Sequence, residues 1–153
     1  MMKKVSFKKT ASLFVILTLV LCMLFTGCAG RRSVTADEFK AACEDAGFTL
    51  TDESAYYAAM QIDTVLLYVE DNTSIGYYSF ADAAAAKSQY AQLFSQLNTG
   101  SSDEKHIDSA EYNRYFVSND NAYALLYRNG TNLIHVIGTD NEALAKVVDQ
   151  LGI

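Results

Sequence analysis

The chain has 153 residues, with 18 Asp+Glu against 12 Lys+Arg and a formal net charge of −6. Such a chain is repelled by nucleic acid and by anionic lipid headgroups, which argues against both as electrostatic partners. With no proline, no tryptophan and three cysteines, it is neither a disulfide scaffold nor a proline-rich linker protein.

The N-terminus carries Lys3, Lys4, Lys8 and Lys9 and no acid. Ala11 to Leu24 is then almost wholly apolar, about the length of a signal-peptide core and short for a membrane span. Leu24-Phe25-Thr26-Gly27-Cys28 follows. This run resembles the lipobox of bacterial lipoproteins, with Phe25 where the family usually has an aliphatic residue. The resemblance covers residues 1–28 only. It implies cleavage between Gly27 and Cys28 and a diacylglyceryl group on the Cys28 thiol. Two acyl chains suffice for stable anchoring where one is marginal. The expected location is the extracytoplasmic face of a cell membrane, with the lipid on Cys28 as the membrane contact. Removing residues 1–27 takes away four lysines and no acids, leaving 8 Lys+Arg against 18 Asp+Glu and a net charge of −10. The organisation expected is a signal peptide at 1–27, an anchored linker at 28–34 and one globular domain at 35–153. Cys43 is then the one cysteine within that domain, so no disulfide can form inside it.

Thr35-Ala36-Asp37-Glu38 predicts a helix opened by a capping box, with Phe39, Ala42, Cys43 and Ala46 on one face and Gly47 as its stop. A short strand at Phe48 to Leu50 is possible, and residues 52–60 read as either a helical turn or a loop. Ile62 to Val69 and Ser74 to Phe80 predict a hairpin with a four-residue loop. Ser79-Phe80-Ala81-Asp82 predicts a second capping box, for a helix with Ala86, Tyr90, Leu93, Phe94 and Leu97 on its inner stripe. Residues 98–107 read as a polar loop. Glu111 to Ser118 and Ala122 to Arg128 form a second predicted hairpin, and Asn129-Gly130 a tight turn into a strand ending at Gly138. Thr139-Asp140-Asn141-Glu142 opens the last helix, with Leu144, Val147, Val148 and Leu151 as its stripe. Leu66-Leu67-Tyr68 and Ala84, Ala86, Lys87 recur at one offset as Leu125-Leu126-Tyr127 and Ala143, Ala145, Lys146, which hints at two hairpin–helix units. The fold expected is α+β: a two-layer sandwich with a mainly antiparallel sheet of about five strands and about three helices on one face.

Few residues carry candidate chemistry. His106 lies in an acidic stretch, but the spacing matches no closed metal-ligand pattern. His135 sits in an apolar strand and reads as a packed histidine rather than a general base. Asp71 to Asp82 has a glycine at the sixth place of a calcium loop, Gly76, but Ile75 stands at a ligand position and the twelfth residue is not Glu. Cys43 falls on an apolar helix face, where a thiol is inert. No metal, cofactor or catalytic set is implied. The ten tyrosines all fall between residues 56 and 127. Alternation puts one of Tyr77 and Tyr78, and one of Tyr112 and Tyr115, on a sheet face away from the helices. An exposed tyrosine face is a credible contact surface. The leading expectation is therefore a non-enzymatic, lipid-anchored envelope protein that contacts another envelope protein. Capture of a small ligand for a transporter or sensor is the alternative.

Overall fold

The computed structural model describes residues 32–153. Cys28, its cleavage site and the rest of the export signal lie outside them. In chain order the elements are α1 (Ala36–Asp45), β1 (Thr51–Asp52), α2 (Ser54–Tyr57), a 3-10 turn (Ala58–Met60), β2 (Ile62–Glu70), β3 (Thr73–Phe80), α3 (Ala83–Leu97), β4 (Lys105–Asp108), β5 (Tyr112–Asn119), β6 (Ala122–Asn129), β7 (Asn132–Gly138) and α4 (Asn141–Leu151). Among the described residues the fold is α+β, with one antiparallel sheet of seven strands in the order β1-β2-β3-β7-β6-β5-β4 and four α-helices.

The helices cover both faces of the sheet, not one. Phe39 of α1 and Leu144 of α4 pack with Ile75, Tyr77, Leu125 and Val136 on one face. Tyr90 of α3 packs with Phe80, Tyr115, Leu126 and Leu133 on the other. The two-layer expectation is thus corrected to three layers. The physical reason is legible in β6 and β7. Tyr123 to Tyr127, and Leu133 to Val136 apart from His135, are apolar at both parities, the pattern of strands buried on both sides. The half-repeat holds for the strands: Leu66 and Leu125 share the α1/α4 face, as do Tyr68 and Tyr127. It fails for the helices, since α3 and α4 pack on opposite faces.

The first capping box forms as expected. Thr35 Oγ1 accepts from the Glu38 N–H at 3.3 Å, and a Glu38 carboxylate oxygen accepts from the Thr35 N–H at 2.9 Å. The second does not, because β3 runs through Ser79 to bury Phe80. Asp82 caps α3 instead, accepting from the N–H of Ala84 and Ala85 at 2.7 and 2.9 Å. Asp140, not Thr139, caps α4. Residues 105–107, expected within a loop, instead join Asp108 in an edge strand that pairs with β5. Residues 32–34, expected as linker, pack instead. Val34 is buried, and its carbonyl accepts from the Tyr77 hydroxyl and the Asn132 side-chain amide at 3.3 and 3.2 Å. The Tyr127 hydroxyl donates to the Arg32 carbonyl, and Arg32 Nη1 donates to Leu151 O at 3.2 Å. The chain therefore enters the domain at the sheet end marked by the β6–β7 turn.

Candidate functional site

The tyrosine surface expected from the sequence is not exposed. Tyr77, Tyr112 and Tyr115 are 3%, 8% and 1% exposed, and Tyr78 is half-buried. Alternation operates as expected: Tyr77 and Tyr112 face α1 and α4, while Tyr78 and Tyr115 face α3. With helices on both faces, either direction leads into a core. The Tyr115 hydroxyl donates to Leu97 O at 3.1 Å, tying β5 to the end of α3. Burial, reinforced by the Glu104 carboxylate, pushes this phenol up to about 12.

His135 is buried on the α3 face. Its Nε2 lies 2.8 Å from Ser74 Oγ, its ring stacks on Tyr78 with centroids 5.7 Å apart, and Nδ1 has no hydrogen-bond partner. The ring needs Gly76 beneath it. A Cβ there would come within 2.4 Å of Cε1. Burial pushes His135 down to about 4, so the ring is neutral at physiological pH. A serine next to a histidine is the start of a nucleophilic pair, but that chemistry needs access and a third group orienting the base. Here the ring is enclosed and Nδ1 is unengaged, so the pair is a packing device. His106 is on β4, stacked on Phe94 at 4.2 Å. Cys43 is fully buried, and desolvation pushes its thiol up to about 12. Asp71 and Asp82 are separated by the whole of β3, the first in a turn and the second as a helix cap. Among the described residues no three His, Cys, Asp or Glu side chains gather as a metal site.

Two features escaped the sequence reading. The first is Arg128, fully buried at the end of β6. Its Nε donates to Asn113 Oδ1 at 2.5 Å, Nη1 to Gly130 O at 3.0 Å and Nη2 to Ala110 O at 2.9 Å. Asn113 in turn donates to Asp108. The guanidinium fork thus fastens the Ser109–Glu111 loop to the β6–β7 turn. Alternation would have placed Arg128 inward with Ala124 and Leu126. The second feature is an apolar patch at the β1 edge of the sheet. Helix α3 packs on β3, β7 and β6 and stops short of β2. Leu67 and Val69 therefore open onto a hollow of about 350 Å³ walled by Tyr56, Tyr57 and Thr51. Tyr56 and Val69 are 75% and 72% exposed, and Met60 in the adjoining turn is 66% exposed. The Tyr56 and Tyr57 rings meet edge to face at 5.1 Å. The signal was the aromatic content of residues 52–60, which no periodicity assigned to a core.

The sequence matches no family model. It matches no curated protein. Among solved structures, the chain is similar to a GTP binding regulator from Thermotoga maritima, at a TM-score of 0.41 and 13% identity, over 78% of this chain and 88% of that one. A likeness of that order carries no inference about function.

Proposed function

We propose that this chain is a non-enzymatic, lipid-anchored cell-envelope protein that docks another envelope protein through the patch of Tyr56, Tyr57, Leu67 and Val69. The observation that carries this reading is that patch: large apolar side chains held in the open beside a sheet edge, on a chain otherwise rich in surface charge. Aromatic residues on a surface are the usual anchors of protein contacts. The lipobox-like run supports the tether. Only residues 29–31 separate Cys28 from Arg32, a reach of about 14 Å at full extension. Because Arg32 and Val34 are fastened to the domain, a lipid on Cys28 would hold the β6–β7 turn end toward the bilayer. The β1 edge would then point sideways, where a neighbouring membrane protein can reach it. His135, spent on packing, supports the non-enzymatic part of the reading.

The two halves of the proposal have separate tests. Cys28→Ala should release the chain from membranes and change its gel mobility; unchanged retention and mobility would refute the tether. Tyr56→Ser with Val69→Ser should remove a crosslinked partner that copurifies with the unaltered chain. A partner that stays with the folded double variant would refute the contact surface.

A further inference from the structure

At the end of the sheet opposite Arg32 lies a recess of about 410 Å³, within the range of small-molecule sites. Its existence follows from the sequence. α3 stops at Leu97, so the first residues of β6 and the last of β7 are left without a helix above them. The floor there is Val117, Ala122, Ala124 and Ile137, and the two alanines leave depth. The outer wall is the 98–104 loop, folded around one carboxylate. Glu104 accepts from the Thr99 N–H and Oγ1 at 2.8 and 2.7 Å and from the Gly100 N–H at 3.2 Å.

Glu104 is the only charged side chain among the lining residues, which otherwise carry apolar groups, hydroxyls, amides and the edge of the buried Tyr115 ring. It makes no ion pair with any described residue. Its hydrogen bonds to Thr99 hold its carboxyl below the usual range, so it is ionised at neutral pH. The walls thus combine an apolar floor and, at the mouth, one carboxylate that is hydrogen-bonded but has no cationic partner among the described residues. An anionic ligand would meet that charge unpaired, and a neutral one would leave it unanswered. We infer that this recess binds a small organic cation, an amine carried on a flat apolar body, with the ammonium at Glu104 and the body on Ala122 and Ala124. The site lies about 25 Å from the chain's entry point, the length of β6. This inference does not rest on the tether or on the proposed protein contact.

The test uses the full chain in zwitterionic lipid nanodiscs, with empty nanodiscs as the blank. Phenethylamine, 2-phenylethanol and phenylacetate share one body and differ in charge. Titration calorimetry should rank them amine, then alcohol, then carboxylate, with the amine about tenfold tighter than the alcohol. In Glu104→Gln the amine should fall to the level of the alcohol while alcohol binding is unchanged, which separates lost charge from a disordered loop. Ala122→Leu should weaken both by filling the floor. Absence of amine binding at millimolar concentration, equal binding of all three probes, or affinity unchanged by Ala122→Leu would each overturn the assignment.

Discussion

Protonating His135 should destabilise the fold in a defined pH window. The unfolded chain takes up this proton as pH falls through about 6.5, but the buried ring resists until about 4. Between those values the unfolded state binds more protons, so stability declines as pH falls. The difference corresponds to about 3 kcal/mol, fully expressed at and below pH 4 and absent above about pH 7. Exposed Glu38, Asp45, Asp52 and Glu104 are also held below their usual range by hydrogen bonds. Their contribution is present above the ordinary carboxylate values and lost below them, so it begins lower on the pH scale. The perturbation that isolates His135 is His135→Leu, which keeps the volume over Gly76 and removes the titrating group. Urea unfolding followed by circular dichroism at pH 7, 6, 5 and 4 gives the comparison. The two proteins should diverge in slope between pH 6.5 and 4, with the wild type losing more. Parallel curves across that window would refute the reasoning.

Arg128→Leu should cost about 3 kcal/mol or more, because it leaves Asn113, Ala110 and Gly130 acceptors unmet inside the fold; denaturant melts measure this, and a loss under about 1 kcal/mol would mean water reaches the site. Gly76→Ala should destabilise by about 1–3 kcal/mol through contact with the His135 ring, and the penalty should shrink in a His135→Ala background. Thr35→Ala should cost about 1 kcal/mol by removing the α1 cap, visible as a lower urea midpoint with an unchanged slope. Cys43 should be unreactive to a thiol reagent in the native chain and react at the rate of global unfolding; fast native labelling would contradict its place in the core.

The elements were legible in the sequence wherever local chemistry decides them. Thr35 and Glu38 close a box on each other, Gly130 at φ 58° turns β6 into β7, and the stripe of α4 runs through Leu144, Val147, Val148 and Leu151 as its spacing dictates. Errors came where tertiary packing chose between local options. Ser79 had the spacing of a cap, but burying Phe80 kept it in β3 and passed the cap to Asp82. Lys105 to Asp108 is short, mostly polar and surface-lying, so pairing with β5 is what marks it as a strand. The number of layers was written in β6, whose residues are apolar at successive positions, yet hairpin alternation was read as one open face. That single misreading put the expected contact surface on Tyr77, Tyr78, Tyr112 and Tyr115, which the second layer of helix covers. Arg128 shows the opposite limit: alternation alone turns it inward, but the acceptors that let a charge stay there, on Asn113 and in two loops, come together only in the fold.

The account turns on whether the β1-edge patch meets a partner in the cell. A photo-crosslinking amino acid at position 56, and in a second strain at exposed Lys87 on α3, reads this directly. The account predicts one discrete crosslinked species from position 56, absent from position 87, and lost on adding Val69→Ser. No product at position 56, or the same products from both positions, would contradict it.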